Sequence, residues 1–271
     1  MIQSFSWWST CSSTASFISR HGARHLFHSS SCRRSHDSQH GVVSTLNFET
    51  LKKRFVKIVE VGPRDGLQNE SMIVPTSDKV TFIQMLAAAG CPAIEATSFV
   101  SPEWVPAMVD AAEVMERVRH FSSSSLALSC LAPNLLGCQR ALMAGASEIA
   151  IVASASDTFS FKNMNGSIEQ TLTRCHDVAV AATNVPLKGC VSCVWGCPYE
   201  GSVALDQVAS IAERLLEMGC YQISLGDTIG VGTPQEVVAI VRMLQRAVGN
   251  EKLAVQRYLR PGGCERLCSC V

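Results

Sequence analysis

From residue 56 onward, apolar and polar positions repeat one pattern: a short apolar run, a loop, then a longer stretch with apolar residues three and four apart. Val56–Val61 is β-branched and stops at Gly62-Pro63, which predicts strand one. Asp78–Ala89 predicts a helix that Gly90 closes. Ala93–Thr97 predicts strand two, and Pro106–Val118, with Val109, Ala112 and Met115 at helical spacing, the helix after it. Leu126–Cys130 pairs in the same way with Leu135–Ala144, and Glu148–Ala153 with Ser167–Ala182. Leu187–Cys193 precedes Leu205–Met218, where Leu205, Val208, Ile211 and Leu215 share a face that ends at Gly219. Tyr221–Leu225 precedes Pro234–Val248, and Leu253–Val255 opens a seventh strand.

Six βα units with nearly continuous apolar strands predict a parallel sheet. A doubly wound open sheet and a TIM (β/α)8 barrel both satisfy that pattern. No Gly-x-Gly-x-x-Gly follows strand one, which weakens the dinucleotide-binding version of the open sheet. Chemistry follows the strands instead: Arg64 and Asp65 after strand one, Glu95 within strand two, Asp227 after strand six. Reactive residues at the carboxyl ends of several strands favour the barrel. A complete barrel takes ~250 residues, and about 220 follow the first fifty of this 271-residue chain. The expectation is an incomplete barrel, with strands seven and eight largely missing.

Composition narrows the function. The formal net charge is zero and 17% of residues are charged, which excludes the basic face of a nucleic-acid binder. No apolar run approaches the ~20 residues of a membrane span. Thirteen cysteines in a chain of this length read as reduced thiols rather than a disulfide scaffold. Residues 1–50 carry Arg20, Arg24, Arg33 and Arg34, many serines and no acid before Asp37. That composition predicts an organellar transit peptide.

Arg64-Asp65-Gly66, with Gln68 close by, places a hard-metal ligand beside an anion stabiliser. The run Val61–Glu70 resembles the opening of the 3-hydroxy-3-methylglutaryl-CoA (HMG-CoA) lyases. So do Thr97–Pro102 with Trp104-Val105-Pro106, Val191-Ser192-Cys193 with Gly196–Gly201, and Ser224–Pro234, in family order. Arg-Asp-Gly alone fits the wider group of isopropylmalate and homocitrate synthases; the later strings are more specific to the lyases. The resemblance implies cleavage of HMG-CoA to acetoacetate and acetyl-CoA with Mg²⁺ or Mn²⁺, in the mitochondrial matrix, by a homodimer. It implies Arg64 as stabiliser of the enolate-like oxygen and as a substrate contact with Gln68. It implies Asp65 as a metal ligand, and Glu95 and Asp227 as catalytic acids. From the residues alone, Glu95 also reads as a buried paired carboxylate and Asp227 as a cap ahead of Thr228. Cys193 and Cys197 read as small buried residues, and Gly226, Gly230 and Gly232 as shaping the loop after strand six.

The chain departs from the family after Val255. The family has two metal-binding histidines where this sequence has Gln256 and Tyr258, and outside the leader only His120 and His176 remain. The expected division is therefore leader 1–50, partial pyruvate-carboxyltransferase-like barrel 51–255, and a non-family tail 256–271. One codon spelling of residues 257–262, shifted by a base, reads Asp-Thr-Tyr-Gly-Gln, the family's continuation, so a frameshifted tail is expected. With the two metal-binding histidines replaced by Gln256 and Tyr258, the expectation is a chain of little or no activity, or one that pairs with full-length subunits.

Overall fold

The structure is a computed structural model, and it describes residues 57–249 and 252–257. The leader, Tyr258 and most of the expected tail lie outside the described residues.

Seven parallel strands lie side by side in chain order: β1 (Val59–Glu60), β2 (Ala93–Ser98), β3 (Ala127–Leu131), β4 (Glu148–Ser154), β5 (Leu187–Ser192), β6 (Gln222–Asp227) and β7 (Leu253–Arg257). The helices are α1 (Thr76–Ala88), α2 (Ala111–Val118), α3 (Leu135–Met143), α4 (Asp157–Met164), α5 (Ile168–Ala181), α6 (Leu205–Glu217) and α7 (Pro234–Val248). Consecutive parallel neighbours joined by helices are the order of a TIM barrel, present here as an incomplete one. Among the described residues seven strands form, so the seventh is present where the sequence pattern predicted it largely missing.

The core lies between sheet and helices. Ile94, Leu128, Ile149, Ile151, Ile223 and Leu225 point to the helices, and Ile83, Leu172, Ile211 and Leu215 meet them; all are at most 1% exposed. A Cβ placed on Gly189 would reach Leu215 and Ile223, which assigns that face of β5 to the helix layer. The two-residue period then turns Lys188 and Cys190, with Glu95, Ser129 and Ser224 on their strands, to the inner face.

Four departures from the sequence pattern have a physical reason in the structure. Strand one is two residues long rather than Val56–Val61, because Val61 leaves the extended region (φ −112°, ψ 0°) and starts a π-helical turn over Gly62–Gly66. The expected helix Pro106–Val118 divides into a 3-10 turn, Pro106–Met108, and α2. Asp110 sits at the break, its carboxylate accepting from Lys79 Nζ at 2.6 Å and Thr76 Oγ1 at 2.8 Å. Helix α4 was not foreseen: Ser156 caps it by accepting from Phe159 N at 3.1 Å, and Asn165 ends it at φ 50°. Finally, β6 and β7 extend to Asp227 and Arg257, because Gly226 pairs with Gln256 and Asp227 with Arg257.

Two helices, α5 and α7, follow their caps. Ser167 with Gln170, and Thr233 with Glu236, form reciprocal capping boxes at α5 and α7, and Pro234 occupies the first turn of α7 where its missing N–H costs nothing. Among the described residues, no helix is long and apolar enough to cross a membrane.

Candidate active site at the carboxyl ends of the strands

The π-helical turn decides where Arg64 goes. Val61 O accepts from both Arg64 N (3.1 Å) and Asp65 N (2.7 Å), and Gly62 N donates to Glu60 Oε1 at 2.7 Å, so the turn is fastened to β1. Arg64 is thereby carried inward to 8% exposure. Its Nε donates to Glu95 Oε1, and its Nη1 donates to Asp65 Oδ1 at 2.7 Å. Glu95 is 1% exposed on β2. The register of β2 against β3 shifts between Glu95 and Thr97, an irregularity of the kind that re-aims a side chain beside a site. A buried guanidinium shared by two carboxylates is a charge-assisted cluster, stronger than neutral hydrogen bonds.

Gln256, at the end of β7, joins this cluster: its Nε2 donates to Asp65 Oδ2 at 3.4 Å. Arg64, Asp65, Glu95 and Gln256 thus meet, although they come from three separate parts of the chain. Asp227 ends β6 and is 3% exposed. Its carboxylate caps the following loop, accepting from Val231 N (2.9 Å) and Gly232 N (3.0 Å). The helix cap proper is Thr233, so the cap reading of Asp227 holds for the loop and not for α7. The fit at Gly232 is close: a Cβ would lie 3.0 Å from Trp195 Cγ and 3.1 Å from Asp227 Oδ2. Gln68 is half-buried just beyond the turn and takes no part in the cluster's hydrogen bonds. Tyr258 lies outside the described residues.

The loop after β5 leans on the loop after β6. Cys193 N donates to Thr228 Oγ1 at 2.8 Å, Val194 N donates to Gly226 O at 3.1 Å, and Cys193 adopts φ 62°. Cys193 and Cys197 are both buried, as their spacing implied, and Cys197 Sγ lies 3.0 Å from Ser156 Oγ. The cysteines are less scattered than composition indicates. Cys190 and Cys193 form a Cys-x-x-Cys pair, with both thiols free. Burial pushes Cys190 up to about 11 and Cys193 to about 12, far from the thiolate form.

Sequence reasoning gave no role to Ser98 or Trp195. Both are buried, and neither the Ser98 hydroxyl nor the Trp195 indole N–H has a hydrogen-bond partner in the structure. Ser98 ends β2, three residues beyond Glu95; its position inside the Thr97–Pro102 string was the available signal. A groove of about 360 Å³ between α5 and α6, lined by His176, Val180, Arg214 and Met218 among others, contains none of these groups.

The HMGL-like family matches residues 55–257. The chain belongs to that family. Hydroxymethylglutaryl-CoA lyase, mitochondrial, of Arabidopsis thaliana is 54% identical over 74% of this chain and 43% of its own length; other relatives are named for the cytoplasm. The solved hydroxymethylglutaryl-CoA lyase of Pseudomonas aeruginosa aligns at 46% identity and a TM-score of 0.70, covering 74% of this chain and 67% of that one. An Acinetobacter baumannii HMG-CoA lyase solved with coenzyme A and 3-methylmalate aligns at 34% identity and a TM-score of 0.72, over 75% and 67% of the two chains. This HMGL-like chain therefore spans 43% of the curated Arabidopsis relative it matches.

The divalent cation implied by the family resemblance meets a donor set that does not fit it. Among the described residues, no three His, Cys, Asp or Glu side chains converge to hold a metal ion. Mg²⁺ demands a near-octahedral shell of oxygens. Here the one carboxylate in the implied position accepts N–H groups from Arg64 and Gln256.

Proposed function

We propose that this site serves the cleavage of HMG-CoA to acetoacetate and acetyl-CoA. The observation that carries the reading is Arg64, a buried guanidinium fixed by Asp65 in the turn after β1 and by Glu95 from within β2. In this reaction the C3 hydroxyl loses its proton and the C2–C3 bond breaks. C3 becomes the ketone carbon of acetoacetate, and the electron pair passes through C2 to the thioester oxygen. That oxygen carries the developing charge, and a preorganised N–H donor in a dry site stabilises such charge far better than water does. C2 then takes a proton to become the acetyl methyl group.

Proton removal falls to a carboxylate. Asp227 stands at the end of β6 with its carboxylate held by two backbone N–H groups, and Glu95 is committed to Arg64. Asp227 is thus the better placed base, and Glu95 the residue that positions the guanidinium. The partnerless hydroxyl of Ser98 is a further polar contact for substrate. We also assign the Arg-rich leader to mitochondrial import and the intact family assembly to a homodimer.

A second reading has one observation in its favour. Gln256, at a position where the family resemblance implies a metal-binding histidine, donates to Asp65, which fits a chain that binds the thioester and turns it over slowly, or acts only beside full-length subunits. Product analysis separates the readings. The purified chain is incubated with HMG-CoA, or with acetyl-CoA plus a 2-oxo acid. Acetoacetate from the first mixture supports the lyase; condensation in the second identifies a synthase; neither, with HMG-CoA still bound, supports the slow or inactive chain.

A further inference from the structure

We infer that Gln256 makes Asp65 an N–H-bonded carboxylate, so that this chain takes no divalent cation there; the inference rests on the lyase reading of the same site. Three observations converge. The β6–β7 register places Gln256 opposite Gly226 at the carboxyl end of the sheet, beside the turn that carries Asp65. The Gln256 Nε2 lies 3.4 Å from Asp65 Oδ2, while Arg64 Nη1 lies 2.7 Å from Asp65 Oδ1, so each carboxylate oxygen faces an N–H donor. The side chains of Arg64 and Asp65 are 10% and 14% exposed and Gln256 is half-buried, so the Asp65 carboxylate and its Arg64 donor are largely shielded from water.

The orientation of the amide follows from charge. Turning it over would set the Gln256 carbonyl oxygen against an anionic oxygen, whereas the N–H direction gives a charge-assisted bond. A dication at Asp65 would have to displace that N–H, face the Arg64 guanidinium beside it, and find most of its shell elsewhere. Gln256 is therefore a specificity-determining residue: a neutral donor at this position exchanges a cation site for a hydrogen-bonded one. Glutamate there would put a second carboxylate against Asp65 and reverse the preference.

The test is Mn²⁺ binding to the full-length chain, read from the electron paramagnetic resonance signal of free Mn²⁺, which is independent of turnover. The parent is expected to show no Asp65-dependent Mn²⁺ binding at millimolar metal. Gln256→Glu is expected to bind at least about tenfold more tightly, and to lose the gain when Asp65→Ala is added. Circular dichroism checks that each variant is folded. Mn²⁺ binding by the parent that disappears in Asp65→Ala overturns the inference, as does a folded Gln256→Glu variant with no gain. Failure of the lyase reading shows itself separately, as absence of acetoacetate from HMG-CoA whatever the metal result.

Discussion

Glu95→Gln keeps the size and shape of a side chain that is 1% exposed and removes its charge. Arg64, 8% exposed, then loses one of its two carboxylate partners and keeps Asp65 at 2.7 Å. Stranding one member of a buried pair costs about 3–5 kcal/mol. The surviving Asp65 bond and the glutamine oxygen, which still accepts from Arg64 Nε, reduce this to about 2–3 kcal/mol. With a urea dependence of about 2 kcal/mol per molar, the unfolding midpoint falls by about 1–1.5 M. Adding Arg64→Met removes the stranded charge, so the double variant is less destabilised than the sum of the singles, by about 1–2 kcal/mol. Urea unfolding followed by tryptophan fluorescence and circular dichroism reads all four members of the cycle. A Glu95→Gln variant within about 0.5 kcal/mol of the parent, or strictly additive substitutions, refutes the claim that Glu95 holds Arg64.

Three further outcomes follow from other parts of the structure. Gly137→Ala in α3 sets two effects against each other: alanine favours the helix by about 1 kcal/mol, but its Cβ would sit 2.6 Å from the Phe99 carbonyl oxygen. The clash is with backbone and wins, so thermal unfolding is expected to move down, by about 1–3 kcal/mol in stability; a raised melting temperature contradicts the packing. Burial pushes the Cys175 and Cys220 thiols up to about 12 from an ordinary 9.0. The folded state therefore binds protons that the unfolded state releases, so their contribution is complete below pH 9 and is lost as pH rises toward 12. Urea midpoints at pH 8, 10 and 11 are expected to fall in that order, and a flat series argues against the burial. Thr228→Val removes the acceptor for Cys193 N and costs about 1–2 kcal/mol, whereas Thr228→Ser keeps the parent's stability; a loss in Thr228→Ser with none in Thr228→Val would mean the methyl group matters and the hydroxyl does not.

Strands β2 to β6 were legible as short, largely buried runs between glycine and proline punctuation, apolar toward the helices and broken only by inner-face residues such as Glu95, Ser129, Lys188 and Ser224. Helices α5 and α7 were legible for the same local reason, since Ser167 with Gln170 and Thr233 with Glu236 are caps written within four residues. What escaped depends on distant partners. The break before α2 is made by Lys79 and Thr76 reaching Asp110 from α1, more than 30 residues earlier. Helix α4 is short, with Ser160 as its single buried residue, so it carries no apolar period. Strand β7 runs through Gln256 and Arg257 only because β6 offers them partners.

The site divides along the same line. Arg64, Asp65, Glu95 and Asp227 stood out in the sequence by residue type and motif; the structure places Asp227 at the carboxyl end of β6, Arg64 and Asp65 in the turn after β1, and Glu95 inside β2. That Glu95 and Asp65 grip the same guanidinium could not be read from their spacing. Nor could the meeting of Gln256 with Asp65 across 191 positions, which changes Gln256 from a missing ligand into an active contact. That Ser98 Oγ and Trp195 Nε1 are buried without a partner could not be read from the sequence, because it is a property of packing alone.

The central claim is that Arg64 stabilises the oxygen anion formed as HMG-CoA splits. It is tested most directly by acetoacetate release from HMG-CoA, measured side by side for the parent chain and a folded Arg64→Gln variant, with substrate binding measured separately. The account predicts that the parent releases acetoacetate above the uncatalysed background. It also predicts that Arg64→Gln lowers the rate by about 10²–10³ while binding changes far less. An Arg64→Gln variant that releases acetoacetate at the parent's rate contradicts it.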